Sequence, residues 1–149
     1  MDIPLKVRIP LSIAQGCVFN FHIDFDGSNR KSGNRYFVVM NCNPKTDKIL
    51  VMLTSTTQIE KRKEFIKKAS ISEKTLIEVS PKEYPTFVTE SAFNCNDIHE
   101  VNIEDLIRKI ENNGSMNYPK IPEQILKKLI AGVKESPLVT EEVKKMLES

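Results

Sequence analysis

The clearest pattern along the chain is an alternation over residues 17–25, where Phe19, Phe21, Ile23 and Phe25 share one parity and Asn20, His22 and Asp24 the other. Side chains on a strand point to alternate faces, so this segment predicts a half-buried strand. Residues 26–34 hold turn formers, polar groups and cations, and predict an exposed loop closed by Arg35. The run Tyr36, Phe37, Val38, Val39, Met40 is apolar on both parities, as expected of a strand covered on both faces. Residues 41–47, with Asn43-Pro44, turn into a third strand over 48–54, and shorter strand patterns follow at 75–79 and 89–95. Helical spacing is weak in the basic stretch 61–68, which reads as loop with some strand.

Helical periodicity appears after residue 101. Asn102 can cap a helix near 103–110, with Glu104 and Asp105 in its first turn, Arg108 and Lys109 later, and Gly114 as its stop. Pro122 suits the first position of a helix over 122–134, in which Ile125, Leu126, Leu129, Ile130 and Val133 form one apolar face. Ser136-Pro137 ends it, and Thr140 can cap a last helix near 140–147. The expected architecture is mainly β with C-terminal helices: one domain over 1–149, with a core of about five to seven antiparallel strands near 16–101 curved into a small barrel, and a helical part near 102–149.

Composition narrows the class. With 149 residues, 40% hydrophobic and 28% charged, the chain has the profile of a globular domain. Its longest apolar runs, 36–40 and 49–53, fall far short of the roughly 20 residues a membrane span needs. The apolar stretch 9–14 is interrupted by Pro10 and makes no signal-peptide core, so the expected location is cytoplasmic. Cys17, Cys42 and Cys95 are odd in number and widely spaced, and only His22 and His99 could join them, so neither a disulfide framework, a metal site nor a cofactor is expected. The net charge of +2 conceals an asymmetry: residues 1–70 carry 12 Lys or Arg against 6 Asp or Glu, and residues 71–149 carry 10 against 14. A basic front half suits a polyanionic partner.

No Walker-type phosphate loop and no Gly-x-Ser-x-Gly elbow is present. Two polar clusters stand out instead. One is the loop 28–35, with Ser28, Arg30, Lys31 and Arg35; the other spans 54–63, with Thr54, Ser55, Thr56, Thr57, Gln58, Lys61, Arg62 and Lys63. Antiparallel pairing of the second and third strands would bring Arg35 and the hydroxyl-rich strand end to the same rim of the sheet.

These segments resemble the MazF/PemK family of toxin ribonucleases, which share an SH3-like barrel with the CcdB plasmid toxins. The resemblance is carried by Gly16 at the first strand, Asp24-Phe25 entering the Gly27-Ser28 loop, Gly33-Asn34-Arg35 leading into a hydrophobic strand, and Thr57-Gln58-Ile59. It continues at Thr89-Glu90-Ser91-Ala92-Phe93 and in the helix 122–134, covering about residues 16–135. Tyr36 follows Arg35 where the family usually has proline, and Cys17 follows Gly16 where it usually has aspartate. The resemblance implies metal-independent cleavage of single-stranded RNA, including mRNA, by attack of the neighbouring 2′-hydroxyl. Arg35 and Thr56 match the catalytic pair, with Thr54 and Ser55 as adjacent candidates for the hydroxyl. Ser28, Arg30, Lys31, Gln58 and Lys61 would hold the RNA backbone. A homodimer and a cognate acidic antitoxin are the implied partners. Two other readings of the same residues are an inactive SH3-like module that binds nucleic acid or peptide, and a CcdB-like toxin with a protein target.

Overall fold

The computed structural model describes residues 3–23 and 33–148 of the chain. Among these residues five strands, β1 (Val18–Ile23), β2 (Gly33–Val39), β3 (Leu50–Thr56), β4 (Leu76–Val79) and β5 (Ser91–Val101), form one antiparallel sheet in the order β1-β2-β3-β5-β4. β1 and β4 are its two edges and do not pair with each other, so the sheet is open among the described residues. The third strand lies two residues later than the sequence pattern suggests, and β5 runs six residues beyond the expected end at residue 95.

Among the described residues five α-helices flank the sheet: α1 (Leu5–Ser12), α2 (Ile59–Lys68), α3 (Ile103–Glu111), α4 (Glu123–Glu135) and α5 (Glu141–Met146). Helices are therefore not confined to the C-terminal part. α1 and α2 correct the expectation: residues 61–68 are helical throughout, not loop or strand. Glu60 in the first turn and Lys67 and Lys68 in the last complement the helix dipole of α2, and Ile66 supplies its buried contact. α1 forms although Pro10 removes a backbone donor, because Ile9 and the following Ile13 are buried.

The caps read from sequence are present. The Asn102 side chain accepts from the Asp105 N–H, and Thr140 from the Val143 N–H. Pro122 stands one position earlier than expected, as the N-cap of α4. After α3 the left-handed residue is Asn113, with φ of 70°, and Gly114 serves close approach instead. A Cβ there would lie 2.6 Å from the Ile110 Cα and 2.9 Å from the Asn20 carbonyl oxygen. That clearance lets Ser115 bridge to Asn20 on β1.

β3 is central, with all seven residues buried, and the sheet has a core on each face. On one, Val38, Met40, Val51, Leu53, Phe93 and Cys95 pack with Ile125, Leu129 and Val133 of α4 and Val143 of α5. On the other, Phe19, Phe21, Phe37, Val39 and Met52 pack with Ile9 of α1 and Leu106 and Ile110 of α3. No helix among the described residues is long and apolar enough to cross a membrane.

The feature that shapes the functional end of the sheet is an irregularity between β3 and β5. Leu53 faces Ile98 and Ser55 faces Phe93, so Thr54 alone stands opposite residues 94–97. A bulge of this kind bends the strand and re-aims its side chains. Asn96 ties it down: its Nδ2 donates to Thr75 Oγ1 at 2.8 Å and to Asn94 Oδ1 at 3.0 Å, while Ser136 Oγ donates to its Oδ1 at 2.5 Å.

Candidate functional site

Arg35 shares a face with Phe37, and Thr54 and Thr56 share that face with Met52, because residues two apart on a strand point the same way. The observed pair Phe37 and Thr54, continued by one pleat, sets Arg35 opposite Thr56. The α1 and α3 core covers Phe37 and Met52, whereas Arg35, Thr54 and Thr56 lie past it and line a small cleft of about 30 Å³ with Gln58, Arg62, Asn94 and Asp97. The two polar clusters thus meet as the sequence reading expects, through Arg35, Thr56 and Gln58. Lys61 is exposed on α2 and does not line the cleft. Ser28, Arg30 and Lys31 lie outside the described residues.

Hydrogen bonding distinguishes the three candidate hydroxyls. Thr54 Oγ1 spends its proton on backbone, 3.3 Å from the Tyr36 carbonyl and 3.4 Å from that of Ser55. Thr56 Oγ1 instead accepts from the Gln58 N–H at 3.1 Å, which leaves its own O–H to donate elsewhere. Ser55 belongs to the opposite parity and lines a neighbouring groove. The Arg35 guanidinium donates to the Ser55 carbonyl at 3.3 Å, and its planar five-donor fork has the geometry that pairs with an anion.

Two cleft residues, Asn94 and Asp97, lie outside both polar clusters of the sequence, and a third, Arg62, belongs to the second cluster but to a stretch expected as loop with some strand. The helix α2 is what turns Arg62 toward Gln58 and Thr56. Asn94 and Asp97 arrive through the bulge of β5, which no short-range pattern reveals. Behind Asp97 stands His99, whose buried Nε2 makes no hydrogen bond among the described residues and lies 3.5 Å from Asp97 Oδ2; its ring meets Phe37 edge-on at 5.5 Å.

Arg35 and Thr56 also line a wider groove of about 310 Å³ on their other side, with Tyr36, Thr57, Phe87 and Ser91 among its walls. Tyr36 packs there against Phe87 and Tyr118, both at 5.3 Å. Burial, and secondarily Tyr118, push its phenol above the ordinary range, so Tyr36 is a neutral hydrogen-bond donor and not a base. The cleft as a whole offers two guanidiniums, one donating hydroxyl, two amides and one carboxylate. That is a donor set for a phosphodiester, with one acceptor for a proton. Among the described residues no group of three or more His, Cys, Asp or Glu side chains could hold a metal ion. No family model matches the chain, and no curated protein sequence matches it.

Proposed function

We propose that the chain is a ribonuclease of the MazF/PemK type, built on a divergent SH3-like barrel, that cuts single-stranded RNA such as mRNA at the Arg35 cleft. The observation that carries this reading is the convergence of Arg35, Arg62 and the donating hydroxyl of Thr56 on one cleft beside a carboxylate. In the cleavage, the 2′-oxygen bonds to phosphorus as the bond to the 5′-oxygen breaks, giving a cyclic phosphate and a 5′-hydroxyl. Negative charge grows on the non-bridging oxygens, where two guanidiniums and a hydroxyl stabilise it most. Asp97 carries the cleft's carboxylate and suits the 2′-hydroxyl proton, while the 5′-oxygen takes its proton from water. A homodimer would widen the groove, and an acidic antitoxin segment would compete with RNA for the same cations.

The test is incubation of the purified chain with single-stranded RNA in EDTA. Cleavage is expected, and Arg35→Ala should lower it by about ten- to a thousandfold, the range for loss of one transition-state donor. Salt-sensitive binding without products would favour the non-catalytic module instead. Untouched RNA together with capture of a protein target would favour the CcdB-like reading.

A further inference from the structure

α2 carries more positive charge than the cleft uses. It holds Lys61, Arg62, Lys63, Lys67 and Lys68 against Glu60 and Glu64. At 100° per residue these divide into two sides. Lys63 turns toward β4, 3.7 Å from Glu78, and also lies 3.7 Å from Glu60 of its own helix. On the other side, Lys68, Lys61, Phe65 and Arg62 succeed one another within an arc of about 120°. Neither acid of the helix falls in that arc, and among the described residues Lys61 and Lys68 make no salt bridge. Phe65 is 45% exposed in the middle of the arc, although Ile66 already meets the helix's need for a buried contact. The strip begins at Arg62, which lines the cleft, and rises about 10 Å along the helix from residue 61 to 68.

An exposed aromatic face between cations is the arrangement by which single strands are held, with bases stacked on the ring and phosphates on the charges. We infer that the Lys61, Phe65 and Lys68 face of α2 is a track for single-stranded RNA leading from the cleft, on which Phe65 stacks one base and the two lysines hold flanking phosphates. Charge complementarity selects the occupant, and the inference rests on the cleft being an RNA site.

The chain has no tryptophan, so Phe65→Trp installs a single indole reporter. The probe is an uncleavable 2′-O-methyl oligouridylate titrated into the full chain. Saturable quenching is expected, with a log–log salt slope that Lys61→Glu and Lys68→Glu each reduce by about 0.7. In the chain with the native tryptophan-free background, Phe65→Ala should weaken binding of a labelled oligonucleotide about 5- to 150-fold. Phe65→Leu, which keeps the bulk but not the ring, should resemble Phe65→Ala. An indole that RNA does not quench, or Phe65→Ala binding like the parent, overturns the track. So does quenching by an oligoglutamate peptide and not by RNA, which would assign the strip to an acidic protein segment. RNA that quenches but is never cut by the parent protein leaves the track standing and removes the nuclease reading; RNA that is cut without touching the indole does the reverse.

Discussion

Replacing Asn96 with alanine should loosen the bulge that delivers Asn94 and Asp97 to the cleft. Its side chain gives two donations and takes one, with partners on three segments: Thr75 before β4, Asn94 on β5 and Ser136 after α4. Thr75 still donates to the Ser72 carbonyl, and Asn94 still accepts from the residue 96 N–H, so their losses are partial. Ser136 is worse placed: it has no exposed surface, and its hydroxyl proton loses its acceptor while the Leu138 N–H still donates to its oxygen. Three hydrogen bonds at about 1 kcal/mol each, with a desolvation penalty for the stranded hydroxyl and some relief from water at the half-buried Asn96 site, give about 2–4 kcal/mol. For a chain of this size that lowers the melting temperature by about 5–15 °C. Urea unfolding followed by circular dichroism reads the change directly, and a cycle with Ser136→Ala should return a coupling of about 1 kcal/mol. A loss below about 1 kcal/mol, or no coupling to Ser136, would refute the claim that this network fixes the bulge.

Thr56→Val should reduce RNA cleavage about a hundredfold whereas Thr54→Val costs mainly stability, since only Thr56 has a proton to give; equal losses in single-turnover rate would contradict the hydroxyl assignment. Gly132→Ala in α4 sets a Cβ 2.6 Å from Cys95 Sγ and 2.9 Å from the Lys74 carbonyl oxygen, so overpacking should outweigh the gain of about 1 kcal/mol in helix propensity and leave a net loss of about 1–2 kcal/mol in urea unfolding. Burial pushes the Cys95 thiol up to about 12, so at pH 8 a thiol-specific alkylating reagent should label the half-buried Cys17 and Cys42 in the native chain, and Cys95 only after unfolding, as mass spectrometry can count.

Much of the sheet was legible because its chemistry is local. The alternation in β1 and the two-sided apolar run of β2 fix which faces are covered without knowledge of the partners, and the caps at Asn102 and Thr140 are side-chain bonds within one turn. What escaped the sequence depends on distant contacts. α1 is held by Ile9 and Ile13 against α3 and β1 despite Pro10, so its tertiary packing overrides its propensity. α2 buries Ile66 in a lysine-rich setting too poor in apolar residues for a periodic stripe to show. The bulge of β5 is a property of pairing register, which a single strand does not encode. The candidate site divides along the same line. Arg35 lies at the start of one predicted strand and Thr56 and Gln58 just past the end of the next, so antiparallel pairing alone brings them together, whereas Arg62 needed the helix, and Asn94 and Asp97 needed the bulge, to reach the cleft.

The central claim is that the Arg35 cleft directs a 2′-hydroxyl against its own phosphodiester, and end-group analysis tests it most directly. RNA should be cut in EDTA to products bearing a cyclic phosphate and a 5′-hydroxyl, and a substrate whose 2′-hydroxyls are all methylated should bind and survive. Cleavage of the methylated substrate, or products carrying a 5′-phosphate, would contradict it.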